Sequence, residues 1–171
     1  MTGGNGITVS RYARGVVISN NEMHRIGDTG VIVVGDLKYD TPKPWLHVDG
    51  NYPMGTQVFG NLIHELGVFT KQTAGFFQAL AANSTVSHNV IINGPRSGVN
   101  FNDAAFGGNV IEMNLMANLV RETTDHGPCE ACPPARPPVR LPACPPARPP
   151  ARLPAAVEEG EGCLVICWLV I

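Results

Sequence analysis

Short runs of β-branched and large apolar residues recur along the first three quarters of the chain, set apart by glycine and asparagine. Val16-Val17-Ile18, Val31-Ile32-Val33-Val34, Val90-Ile91-Ile92 and Val110-Ile111 are short and show no helical periodicity. From Gly98 the pattern alternates instead, placing Val99 and Phe101 on one face and Asn100 and Asn102 on the other. Bounded by turn signals such as Asn93-Gly94-Pro95, these runs predict short strands joined by tight turns. The unbroken Val31–Val34 run predicts a strand covered on both faces.

The runs also keep phase. Ile18, Val58, Val86 and Ile111 stand three residues before Asn21, Asn61, Asn89 and Asn114, and Met23, Ile63, Ile91 and Met116 stand two after them. Further on comes a glycine: Gly30, Gly75, Gly98 and Gly127. The asparagines lie 40, 28 and 25 residues apart, and the stretch Leu37–Tyr52 reads as an insertion in the first interval. A repeat of roughly 20–30 residues built on short strands predicts stacked units, because one unit cannot bury its apolar face alone. Stacking pairs each strand in parallel with its copies above and below. Asparagine at the recurring turn suits the left-handed backbone region, and its amide can bond the asparagine of the next unit. The expectation is therefore that Val58, Ile63, Val86, Ile91, Val99, Phe101 and Ile111 are buried and that Asn61, Asn89 and Asn114 stack.

Asn89-Val-Ile-Ile-Asn-Gly-Pro-Arg-Ser-Gly-Val-Asn-Phe-Asn-Asp103 carries a resemblance, with Lys71-Gln72 before it and Thr124-Asp125-His126-Gly127-Pro128 after it. Over about residues 5–128 the chain resembles the right-handed parallel β-helix proteins of the pectate-lyase-like superfamily, which includes polysaccharide lyases, glycoside hydrolases and epimerases. The resemblance implies an all-β fold, a right-handed single-stranded parallel β-helix of about four to five coils, and a polysaccharide as partner. It implies a role outside the cell as well. Met1-Thr2-Gly3-Gly4-Asn5-Gly6, however, lacks the basic start and apolar run of a signal sequence. The family's usual continuation past Pro128 is missing too, and no capping segment is legible at either end of the repeats. These features lead to the expectation of a partial domain, truncated relative to the family.

Charge adds little: the net value is −2, which gives no reason to expect nucleic acid or a membrane surface as partner. The composition changes at residue 129. Ala131–Pro142 and Ala143–Pro154 are the same twelve residues except for Ala151 in place of Val139, and ten of the 15 prolines lie within them. The organisation expected is a β-helix domain over 1–128, a disordered Pro/Arg/Ala-rich tail over 129–162 and a short apolar C-terminus over 163–171. Deleting 129–171 is expected to leave the domain's stability unchanged or improved. The final nine-residue run is too short to span a bilayer. All five cysteines sit beyond residue 128, and Cys129, Cys132, Cys163 and Cys167 lack the tightly paired spacing of a zinc site.

Candidate chemistry follows from the polar residues that flank the Gly-led strands. A glycoside hydrolase needs an acid and a second carboxylate, for which Asp103 and Asp125 are the candidates and Glu122 the reserve. A uronate lyase or epimerase needs a base beside the acidic proton and cations for the anion formed, for which Lys71, Arg96 and His126 serve. Asn100, Asn102, Gln78 and Trp45 are the candidate substrate-binding residues, Trp45 by stacking on a sugar ring. No cofactor is expected, except calcium if the chemistry is a lyase's. The residues do not choose between hydrolase and lyase, nor between an enzyme and an inactive fragment or a non-catalytic carbohydrate-binding or structural solenoid. They leave the oligomeric state open.

Overall fold

The computed structural model describes residues 2–36, 51–102, 107–123, 127–131 and 165–170. Among the described residues there are thirteen strands and no helix. The first four are β1 (Ile7–Ser10), β2 (Val17–Ser19), β3 (Glu22–His24) and β4 (Val31–Val34). Then come β5 (Gln57–Phe59), β6 (Leu62–His64), β7 (Ala74–Ala79), β8 (Thr85–Ser87), β9 (Val90–Ile92) and β10 (Ser97–Phe101). The chain continues through β11 (Val110–Ala117), β12 (Cys129–Ala131) and β13 (Val165–Val170).

The strands recur in threes. One sheet has the order β1-β4-β7-β10-β12, and the other runs β2-β5-β8-β11-β9-β6-β3. The long β11 serves both halves of the second sheet: Ile111 pairs with Val86 of β8, and Met116 pairs with Ile91 of β9. Every pairing within β1–β12 is parallel. Parallel strands need a long return connection, and here the next two strands of each set supply it.

Register aligns the apolar residues into rows. Ile18, Val58, Val86 and Ile111 form one row and Met23, Ile63, Ile91 and Met116 another. Both rows point inward: Val58, Val86, Ile111, Ile63, Ile91 and Met116 have no exposed surface. Val31, Val33, Phe76, Val99 and Phe101 close the third side of the same core, with the Phe76 and Phe101 rings 5.7 Å apart and tilted. All seven residues expected to be buried are buried. Val31 and Val33 are fully covered, but Ile32 and Val34 are only half-buried, so β4 is less enclosed than its composition predicts.

The asparagines stack as expected. The Oδ1 of Asn61 accepts from the backbone N–H and the Nδ2 of Asn21, both at 3.0 Å. Asn89 does the same for Asn61 at 3.0 and 2.9 Å, and Asn114 for Asn89 at 2.9 and 2.9 Å. The left-handed backbone, though, belongs to the residue before each of them: Asn20 (φ 55°), Gly60 (φ 66°), His88 (φ 55°) and Met113 (φ 53°). In Asn61, Asn89 and Asn114 the ladder amides lie buried, where a polar group requires a partner.

A second ladder is steric. Gly6, Gly30, Gly75 and Gly98 stack at the entry to the first sheet, where a Cβ on Gly30 would lie 2.6 Å from the Gly75 oxygen and one on Gly75 2.7 Å from the Gly98 oxygen. At the next position the register places Pro128, not Gly127, because Val99 pairs with Cys129. The connection from β4 to β5 contains the insertion read from the sequence; residues 37–50, including Trp45, lie outside the described residues.

Candidate functional site

The turns that leave the second sheet help to line a surface cleft. Arg25, Glu65, Asn93 and Asn118 each follow a ladder asparagine by four residues, and all four adopt left-handed backbone with φ between 51° and 57°. The recurrence stacks their side chains outside the core. Asn93 Nδ2 donates to Glu65 Oε1 at 2.7 Å, and Asn118 Nδ2 donates to Asn93 Oδ1 at 2.6 Å.

The loop between β6 and β7 folds over this row. Its backbone is fastened to the preceding turn: the N–H groups of Phe69 and Thr70 donate to the Gly27 oxygen, and that of Val68 to the Ile26 oxygen. Gly67 (φ 66°) packs against Pro95, where a Cβ would meet the proline ring at 2.5 Å. On the other side, Val120 N–H donates to the Arg96 oxygen and Glu122 N–H to the Pro95 oxygen. Between these walls lies a cleft of about 520 Å³, whose lining includes Arg25, Glu65, Lys71, Asn93, Arg121 and Glu122.

Lys71 spans the cleft. Its Nζ donates to the Gly67 oxygen at 2.9 Å and to Glu122 Oε1 at 3.2 Å. Both side chains are about half exposed, so this pair is a surface ion pair screened by solvent. Arg25 and Arg121 meet no carboxylate among the described residues. The lining thus holds three cations against two carboxylates, with two guanidinium groups available to an incoming anion.

The other predicted site residues are distributed. Arg96 is half-buried in the turn that enters β10, and Lys71 stands in the connection that enters β7, the neighbouring parallel strand. The two cations therefore come from adjacent sets. Asn100 points away from Val99 and Phe101 yet is only 1% exposed, and its Oδ1 accepts no hydrogen bond. Asn102 is half-buried, and its backbone N–H donates to the Gln78 oxygen. Gln78 lies inside the protein, 2% exposed, where its Nε2 donates to the Ala81 oxygen and to Asn109 Oδ1. Its alternation along β7 puts it on the Phe76-proximal interior edge, so its side chain braces two turns. Asp103, Asp125, His126 and Trp45 lie outside the described residues.

Arg25, Glu65, Asn93 and Arg121 are absent from the sequence-derived set. For the first three a signal existed, since each stands four residues after a ladder asparagine. Arg121 has no such phase. Among the described residues no three His, Cys, Asp or Glu side chains converge. No helix among the described residues is long and apolar enough to cross a membrane. No family model, curated protein or solved structure matches the chain.

Proposed function

We propose that this chain is a carbohydrate-active protein of the right-handed parallel β-helix type, resembling the pectate-lyase-like superfamily, and that it binds and modifies an acidic polysaccharide. The observation that carries the reading is the cleft in which Arg25, Lys71 and Arg121 outnumber Glu65 and Glu122. The all-parallel pairing in sets of three supports the β-helix, and the strong preference for right-handed crossovers supports its hand. An open, polar, net-cationic cleft suits a chain of uronate sugars better than a neutral glycan, because a guanidinium pairs a carboxylate with two parallel bonds.

The chemistry favoured is β-elimination or epimerisation at a uronate. A base removes the proton beside the sugar carboxylate, and fixed cations stabilise the anion that forms. In this reading Arg25 and Arg121, which line the cleft, orient the carboxylates of the bound chain. Lys71 and Arg96, from neighbouring turns, are the candidates to stabilise charge. Hydrolysis by Asp103 and Asp125 is the competing chemistry, and a purely binding role is the competing function.

The test uses the full chain on an acidic polysaccharide such as polygalacturonate and on a neutral galactan. Binding is read by affinity electrophoresis, and turnover by unsaturated and reducing ends. Binding to the acidic chain, lowered about tenfold (~1.4 kcal/mol) by Arg121→Ala or Arg25→Ala, supports the reading. Unsaturated ends identify a lyase, and reducing ends alone a hydrolase. Equal affinity for neutral and acidic chains refutes the cleft as a uronate site.

A further inference from the structure

β13 differs from every other strand. It pairs antiparallel with β11, in the register Val110↔Val170, Ile111↔Leu169, Asn114↔Cys167, Leu115↔Ile166 and Met116↔Val165. Among the described residues β11 is its sole strand partner. It lies on the side of β11 opposite to β8 and β9 and covers an edge whose free N–H and C=O groups would otherwise template another chain.

The covalent link to β13 is long. Residues 132–164, 33 in all, separate it from β12. A connection of that length can reach up to ~110 Å, against ~5 Å between paired strands. The link therefore does not dictate whose β11 the strand occupies. Register and backbone bonding would be the same on a second copy, and exchange of an identical element is a low-cost route to a dimer.

The geometry points to β11 as a docking edge for Val165–Val170 of a second copy of this chain, so that two copies exchange their last strands. The occupant is set by continuity with the pairing already present: an apolar strand, Val-Ile-Cys-Trp-Leu-Val, in antiparallel register over both halves of β11. Concentration decides the balance. A tethered strand competes at an effective concentration around millimolar for short linkers and lower for long ones. Closed monomers dominate when dilute, and exchanged dimers grow as protein concentration approaches that range.

Two differently mass-tagged full chains are mixed over a range of concentrations up to millimolar and examined by native mass spectrometry. Mixed dimers are expected to grow with concentration and to give way to monomers on dilution. Exchange is assigned to β13 by trapping: Val110→Cys in one chain and Val170→Cys in the other face each other across the antiparallel pair and should form a covalent heterodimer. Val110→Cys mixed with the unaltered chain should form at least tenfold less. A Cys167→Pro chain, which removes a pairing donor in mid-strand, should stay monomeric alone yet capture a full chain. The inference is overturned if the full chain stays monomeric up to millimolar concentration. It is equally overturned if Cys167→Pro chains self-associate as much as the full chain, or if the matched cysteines give no more covalent dimer than the mismatched pair.

Discussion

Replacing Asn89 by alanine tests whether the asparagine ladder holds the fold. The side chain is 1% exposed and makes four hydrogen bonds: Oδ1 accepts from the Asn61 backbone N–H and Nδ2, and Nδ2 donates to the Val58 oxygen and Asn114 Oδ1. Asn61 Nδ2 keeps Ile18 and Phe59 oxygens as partners, and Asn114 Oδ1 keeps the Asn89 N–H. The Asn61 N–H is left with no other acceptor. An orphaned buried donor costs ~1–3 kcal/mol, and each of the three further bonds lost about 1 kcal/mol, so Asn89→Ala should cost about 4–6 kcal/mol. That is a large share of the ~5–15 kcal/mol typical of a domain. Asn21 is the control. It is exposed and lies at the end of the ladder, with its Nδ2 on Asn61 Oδ1 and the Ser19 oxygen, so Asn21→Ala should cost no more than ~1 kcal/mol. Asn89→Asp adds a pH signature. The carboxylate keeps the acceptor role but faces the Val58 oxygen and Asn114 Oδ1, which raises its folded pKa above the unfolded value. Protonation relieves that conflict, so the variant should gain stability as pH falls below its folded pKa and lose it as pH rises through that value. Urea unfolding followed by circular dichroism measures all three. Equal midpoints for Asn21→Ala and Asn89→Ala would refute the ladder as a stabilising element.

Two further perturbations probe the packing and the cleft. Gly75→Ala should destabilise by ~1–3 kcal/mol, because its Cβ would lie 2.5 Å from the Ile91 side chain and 2.7 Å from the Gly98 oxygen; an unchanged urea midpoint would contradict the register of β7 on β10. Lys71→Ala and Glu122→Gln should each shift stability by less than ~1 kcal/mol, with the difference shrinking in high salt, since the pair is half exposed. A large loss of stability there would mean that Lys71 is structural and would weaken its assignment to ligand binding.

Much of the fold was legible because parallel register copies sequence phase into space. Ile18, Val58, Val86 and Ile111 share a row for the same reason that they share a distance to an asparagine. Local backbone conformation was less legible. Asparagine is the residue most tolerant of left-handed backbone after glycine, yet Met113 and His88 adopt it here while Asn89 and Asn114 do not. The buried amides must face inward, and that tertiary demand overrides propensity at the preceding residue. Gly127 was one residue out of phase because glycine alone marks a close approach of backbones without fixing which of two neighbours makes it. β13 was the largest surprise. The sequence marks 163–171 only as a short apolar C-terminus, and the partner of β13, β11, lies across residues 118–164, most of them of a different composition. With β10 covered by β12 and β11 by β13, deletion of 129–171 exposes two paired edges, and the expectation of unchanged or improved stability no longer follows.

The candidate site was legible only where chemistry and phase coincide. Lys71 and Arg96 precede neighbouring strands and so come from adjacent sets. Gln78 illustrates the opposite case. Alternation from Phe77 assigns it to the side of Phe76's neighbours, yet a polar side chain flanking a strand was expected at a surface. The structure buries it because Asn109 and the Ala81 oxygen offer it partners that sequence cannot reveal. Arg25, Glu65 and Asn93 show what the phase could have supplied. Side chains at the same left-handed turn must line up from set to set, so any charged residue there joins a row whose spacing the sheet dictates. An anionic chain laid across that row meets Arg25 at one end and, through the turn after β11, Arg121 at the other. A ligand recognised by such a row should gain affinity with the number of its charged units until it spans the cleft, and no further. Affinity that keeps rising with polysaccharide length beyond about four units, roughly the number of stacked strands at ~4.8 Å each, would place the binding surface elsewhere on the protein.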